Sequence, residues 1–172
     1  MESGIIENQQ RDRAYGSEKI ELREGDIGLG VVAREPIARG EVLVALAHVF
    51  VDQRAQHTIQ IDERHQAGTR EIDDYLNHSC DPSAALDTER LCFVAARDIA
   101  PGEAVTFNYN SSEYDIAEPF ACGCGSPRCE GTIRGFRHLT PRQRAEIRPL
   151  LAAHLLAMTG ADDVIDPGCA PA

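Results

Sequence analysis

The feature that most constrains this chain is a cysteine run, Cys122-Gly123-Cys124 followed after four residues by Cys129. The run sits in a short loop with Gly123, Gly125 and Gly131 and little apolar material. Such a loop cannot bury enough surface to offset the entropy of ordering it, so something must cross-link it. A fourth thiol is available in Asn77-His78-Ser79-Cys80. Four thiolates make a tetrahedral set suited to zinc, and metal binding would supply the ordering free energy. One zinc on Cys80, Cys122, Cys124 and Cys129 is the expectation, and it ties the loop to a distant segment. Three alternatives stand beside it: a disulfide framework, a redox pair at Cys122/Cys124, and free thiols. The N-terminal residues lack the basic-then-apolar pattern of a secretory signal, so a reducing, cytoplasmic setting is expected, which disfavours disulfides. C-x-C is not the C-x-x-C spacing of thioredoxin-like sites. Cys92 and Cys169 are isolated from the run.

The 172 residues suffice for one domain with a core and short extensions. No apolar run is long enough to span a bilayer, so no membrane partner is expected. Net charge is −11, from 28 acidic and 17 basic side chains. That balance opposes a nucleic-acid surface and suits a basic protein or peptide partner, although it equally serves solubility. Oligomeric state is not readable.

Residues 1–16 are polar without sustained apolar period and read as a loose arm. Beyond them, Lys19–Arg23, Gly28–Ala33, Val42–Leu46 and, more weakly, His57–Ile61 read as strands. Residues 62–74 read as loop or short helix. Ala84–Asp87, Leu91–Ala96 and Glu103–Tyr109 complete a set of short strands punctuated by turns, which points to a mostly β architecture. A helix follows. Thr140 can cap it, Pro141 suits its first position, and Gln143 completes a capping box. Ile147, Leu150, Leu151, His154, Leu155 and Met158 fall on one helical face, Gly160 ends it, and 161–172 read as a tail.

Four segments, in order over roughly 17–135, resemble the SET-domain family of protein lysine methyltransferases. They are Gly28-Leu29-Gly30 with Ile37-Ala38-Arg39-Gly40-Glu41, then Tyr75-Leu76-Asn77-His78-Ser79-Cys80-Asp81-Pro82, then Ala96 to Tyr109, then the post-SET cysteine segment Phe120 to Gly131. The resemblance implies a fold of small curved sheets, a β-clip threaded as a pseudo-knot, with a SET domain at 17–118 and a post-SET zinc segment at 119–135; the helix read above takes the C-terminal segment 136–160. It implies S-adenosylmethionine as cofactor on one face and a lysine entering a narrow channel from the other.

By resemblance, the backbone around Ile27, Gly28, Leu29 and Gly30 lies against the cofactor, and glycine permits that close approach. Asn77 and His78 resemble the family's cofactor-binding pair. The amide offers donor and acceptor, and His78 is left off the metal in favour of Cys80. Tyr109 resembles the catalytic tyrosine. The methyl on a sulfonium is already activated, so the enzyme's task is to hold a neutral lysine nitrogen in line with it. An apolar channel disfavours the ammonium form of a lysine whose free pKa is near ~10.4. Phe107 stands where the family has phenylalanine or tyrosine, and the hydroxyl-free choice implies di- or trimethylation. Tyr114 and Phe120 are candidate channel walls, able to hold a methylammonium by cation–π contact. One departure is Asp74, where the family often has arginine, and it favours the alternative of a catalytically silent module binding a basic partner. The segment 47–72, which usually shapes substrate binding, is short.

Overall fold

A computed structural model describes residues 6–7, 16–25, 28–46, 48–51, 58–68 and 71–159. Among the described residues thirteen short strands form, in chain order β1 (Ile6–Glu7), β2 (Ile20–Gly25), β3 (Gly28–Ala33), β4 (Val42–Ala45), β5 (His48–Val51), β6 (Ile59–Gln60), β7 (His65–Gly68), β8 (Asn77–His78), β9 (Ala84–Asp87), β10 (Cys92–Ala95), β11 (Ala104–Phe107), β12 (Phe120–Ala121) and β13 (Thr132–Ile133). They assemble as four small sheets in the orders β1-β5-β7-β6, β4-β10-β9, β2-β3-β11-β8 and β12-β13. The architecture is mostly β, as the turn-punctuated strands imply. No helix among the described residues is long and apolar enough to cross a membrane.

Alternation sets the inward face of β3, while β4 and β10 bury consecutive residues. In β3, Val31 and Ala33 are 1% and 0% exposed, and in β10, Phe93 is fully buried. These residues, with Leu43, Val44, Ile37 and Ile99, make one core shared by the sheets. At roughly 25 cal/mol per Å² of apolar surface, such burial is the main force holding the short strands together.

Several stretches differ from the strand reading: β1 lies in the arm read as loose and pairs with β5, and β5, β8, β12 and β13 are strands where none was expected. Residues 62–74 hold β7, a strand between β5 and β6, and then a 3-10 turn at Ile72–Tyr75. His65-Gln66-Ala67-Gly68 lacks apolar alternation, and its strand character comes from backbone pairing on both edges. The strand expected to reach Tyr109 stops at Phe107. There the Asn108 side chain accepts from the Asn110 N–H at 3.0 Å and starts a 3-10 turn at Tyr109–Ser111.

The C-terminal helical segment begins as expected. Thr140 Oγ1 accepts from the Gln143 N–H and Gln143 Oε1 accepts from the Thr140 N–H, so α1 (Pro141–Ile147) carries the full capping box. Pro149 then divides the segment, and α2 (Ala153–Met158) follows a 3-10 turn. Ile147, Leu151 and Leu155 are buried with Phe136 and Leu139 in a second cluster, while Met158 stays 41% exposed. Gly160 and the tail lie outside the described residues.

Candidate active site

The site grows from one parallel strand pair. β8 lies beside β11, with Asn77 opposite Thr106 and His78 opposite Phe107. β11 also pairs antiparallel with β3, Ala104 opposite Val32 and Val105 opposite Val31. Thus β11 carries the Asn-His pair on one edge and the glycine-rich strand on the other. The buried Ser83 fastens the crossing: its hydroxyl donates to the Ala104 carbonyl at 2.9 Å and accepts from the Thr106 N–H at 3.0 Å.

Beyond the end of this sheet Asn77 reaches β3. Its Nδ2 donates to the Leu29 carbonyl at 3.2 Å. A Cβ at residue 30 would lie 2.9 Å from that Nδ2, so glycine at 30 makes the contact possible. Gly28 has φ +96° and open space where a Cβ would be, a conformation that favours glycine. Leu29 is 46% exposed although Val31 and Ala33, on the same face of the strand, are buried. An exposed apolar side chain, a glycine backbone and a carboxamide therefore meet at one edge. That donor set fits a cofactor with an apolar ring face and polar edges. Ile27 lies outside the described residues.

Tyr109 is held at both ends by the same segment. Its N–H donates to His78 Nδ1 at 3.1 Å and its hydroxyl donates to the Leu76 carbonyl at 3.0 Å. Burial, with a smaller contribution from the Glu113 carboxylate, pushes the phenol up to about 12. It is neutral near pH 7 and its oxygen retains lone pairs for a further donor. The ring centroid lies 4.7 Å from Phe107, 5.2 Å from His78 and 5.9 Å from Phe120. Phe107 is 4% exposed and packs against Phe93 in a tilted pair with centroids 4.7 Å apart. Tyr114 sits elsewhere: it packs on the second cluster, with the Arg137 guanidinium 6.0 Å over its ring.

The four cysteine sulfurs lie within 4.8 Å of one another. Cys80 and Cys122 are 3.9 Å apart, against about 3.8 Å for two thiolates at tetrahedral angles on a metal with bonds of about 2.3 Å. The set fits one tetrahedral metal ion. Burial pushes the Cys80 thiol up, and Cys122 to about 11. At Cys124 burial also opposes ionisation, but hydrogen bonds from the Cys80 and Ser126 backbones win and bring it to about 7. A divalent cation displaces such protons outright. His78 is near but outside the sulfur set. Its Nε2 lies 3.3 Å from Cys80 Sγ, and burial lowers its pKa to about 4.

Several supporting residues have no sequence motif. Gln60, 2% exposed, donates its N–H to Glu113 Oε1 at 2.7 Å and accepts the Tyr114 N–H at 2.9 Å. Asn110, fully buried, accepts the Gly135 N–H at 2.8 Å and donates to Glu130, whose own N–H lies 3.4 Å from Cys80 Sγ. Gly135, at φ +104°, would place a Cβ 2.7 Å from Asp115 Cα. The C-terminal segment docks on the same turn, the Ala152 N–H donating to the Ser111 carbonyl at 2.8 Å and His154 Nε2 to that of Ser112 at 2.9 Å. The only sequence signal for these contacts is the pair of asparagines flanking Tyr109.

Comparison with known proteins places this geometry. A family model described as SET domain matches residues 28–110. The methyltransferase flvH of Aspergillus flavus is 43% identical over 67 residues, 38% of this chain and 38% of its own length. The histone-lysine N-methyltransferase ash1 of Drosophila melanogaster is 27% identical over 72% of this chain and 7% of its own length. An H3 lysine-36 specific histone-lysine N-methyltransferase of Candida albicans is 27% identical over 89% of this chain and 20% of its own length. The chain therefore spans well under half the length of these curated relatives. Among solved structures, KRYPTONITE in complex with mCHH DNA, H3(1-15) peptide and SAH matches with TM-score 0.55 at 19% identity, over 66% of this chain and 29% of that one. The methyltransferase domain of human SETMAR matches with TM-score 0.51 at 19% identity, over 67% of this chain and 58% of that one. At such identities the structures speak for the fold alone.

Proposed function

Since this chain is a SET-domain protein, its SET domain matched over residues 28–110, we propose that it is an S-adenosylmethionine-dependent protein-lysine N-methyltransferase carrying one zinc ion. The observation that carries the reading is the double clamp on Tyr109, whose backbone binds His78 and whose hydroxyl binds the Leu76 carbonyl. It aims a neutral oxygen acceptor from the end of the Asn77-His78 strand, where Asn77 meets the glycine strand.

S-adenosylmethionine, when bound, supplies a methyl group already activated on a sulfonium. Gly28, Leu29, Gly30, Asn77 and the backbone of His78 would hold it. The chain's own residues then position the nucleophile. The Tyr109 proton is committed to Leu76, so the phenol serves as acceptor and orients the substrate amine; with its pKa near 12 it is no base at neutral pH. Phe107 and Phe120 flank it with apolar rings, which exclude water and favour the neutral amine. Phe107 leaves room for more than one methyl. Cys80, Cys122, Cys124 and Cys129 would hold zinc and fasten Phe120 beside Tyr109.

The substrate class we favour is a lysine in a basic protein or peptide. Relatives named for histone H3 lysine 36 and a fold neighbour with an H3 peptide support that class, and the net charge of −11 would draw a basic segment in. Nucleic acid and membrane are not its partners in this reading, and a cytoplasmic setting keeps the thiols reduced. The test is incubation with methyl-labelled S-adenosylmethionine and a mixture of basic proteins, with mass spectrometry of modified lysines and metal analysis of protein purified without chelator. Methyl-lysine and one zinc per chain are expected. Cofactor binding without any transfer would instead support a catalytically silent module.

A further inference from the structure

We propose that His78 is a positioning residue that couples the cysteine metal centre to the backbone of Tyr109. The inference rests on the zinc reading above and deepens it.

The argument turns on the two nitrogens of one ring. Nδ1 lies 3.1 Å from the Tyr109 backbone nitrogen, which can only donate. Nδ1 must therefore be the bare acceptor, and the ring proton of a neutral imidazole sits on Nε2. Nε2 lies 3.3 Å from Cys80 Sγ. A proton fixed there by Tyr109 points at the sulfur. A thiolate bound to a metal is the acceptor such a proton wants, whereas a thiol is a poor one. Loading the metal thus strengthens the Nε2–H···S bond, locks the ring and, through Nδ1, locks the Tyr109 N–H. The ring has little freedom to do otherwise. It meets the Tyr109 ring edge-on at 5.2 Å and the Phe120 ring edge-on at 5.9 Å, and its backbone is paired to Phe107 in the sheet. Outer hydrogen bonds of this kind orient metal ligands and tune their affinity. Here the outer partner also reaches the turn that bears the Tyr109 hydroxyl.

Two variants separate the two nitrogens. In His78→Asn the amide oxygen falls near the place of Nδ1 and can still accept from Tyr109, but nothing reaches Cys80. In His78→Gln the amide nitrogen falls near the place of Nε2 and can still donate to Cys80, but the Tyr109 contact is lost. In the zinc-loaded full chain, the ring nitrogen shifts of His78 should report an unprotonated Nδ1 and a protonated Nε2. His78→Asn should give zinc up to a competing chelator about 10–100-fold more readily than wild type, with the Tyr109 amide resonance in place. His78→Gln should keep zinc within a few-fold of wild type and shift the Tyr109 amide. Removing zinc should move that resonance in wild type, and clearly less in His78→Asn, where the Phe120 ring still links the metal loop to Tyr109. A protonated Nδ1 in wild type overturns the proposal, and that measurement needs no variant to fold. Equal zinc loss in both variants, or none in His78→Asn, also overturns it by reducing His78 to packing. A wild-type chain that binds no zinc would remove the metal reading itself, a different result from a zinc-loaded chain indifferent to His78→Asn.

Discussion

A Cβ on residue 30 would lie 2.9 Å from Nδ2 of Asn77, the atom that donates to the Leu29 carbonyl. Gly30 and Asn77 are therefore a fitted pair. Gly30→Ala should push the carboxamide off Leu29. The displaced group is the end of a side chain, so the fold gives way cheaply and the melting temperature should move little. Affinity for S-adenosylhomocysteine, measured by titration calorimetry, should fall by about tenfold or more, the cost of one lost oriented hydrogen bond. A melting temperature that collapses while affinity per folded molecule is kept would show that Gly30 serves packing alone.

Tyr109→Phe removes the hydroxyl donated to Leu76 and leaves the ring contacts with Phe107 and Phe120. The fold should hold. Methyl transfer should slow by a barrier increase of about 2–4 kcal/mol, the order of magnitude for removing one preorganised polar contact from an active site, here the acceptor that orients the amine. Single-turnover transfer rates with circular dichroism on the same samples check both halves. The phenol near 12 also implies that the wild-type rate profile between pH 7 and 10 shows no limb from Tyr109 ionisation.

Phe107 is 4% exposed and lies between Phe93 and Tyr109. Phe107→Tyr adds a hydroxyl among these rings. It should restrict the enzyme to earlier methylation products and affect the first methylation less, since an unmethylated amine needs the least room. Time-resolved mass spectrometry of one modified peptide decides. A wild-type enzyme that stops at monomethyl-lysine with cofactor in excess would assign the limit to other channel residues.

His154 anchors the C-terminal segment through Ser112, and burial lowers its pKa below the ordinary 6.5. The unfolded chain then takes up the proton before the folded chain does. Stability rises with pH across that window, and the penalty appears as pH falls below about 6.5. His154→Gln keeps a donor for Ser112 and cannot titrate. Denaturant unfolding at pH 7.5 and 5.5 should show a smaller loss on acidification for His154→Gln than for wild type. Parallel losses would free His154 of the effect.

The sequence by itself determined what depends on near neighbours or on residue chemistry. The capping box of Thr140 and Gln143 closes over three residues, whereas for the glycines at 28 and 30 it is the family resemblance that implies a backbone approached by a cofactor. The number and spacing of the four cysteines pointed to a shared metal ahead of disulfides, a redox pair or free thiols, and the fold brings their sulfurs within 4.8 Å of one another. The apolar runs Gly28–Ala33, Val42–Leu46 and Leu91–Ala96, bounded by turn residues, likewise name strands, and their Val31, Val44 and Phe93 are buried in the core. Tertiary structure decided what depends on which donors and acceptors remain after the strands pair. β7 became a strand because β5 and β6 left it two backbone edges, against its polar side chains. Tyr109 left the strand because Asn108 capped a turn there. Gln60 and Asn110, ordinary in sequence, became buried struts because the loop after Tyr109 had backbone N–H groups to satisfy. The proton on His78 was settled last, by a backbone N–H thirty-one residues away.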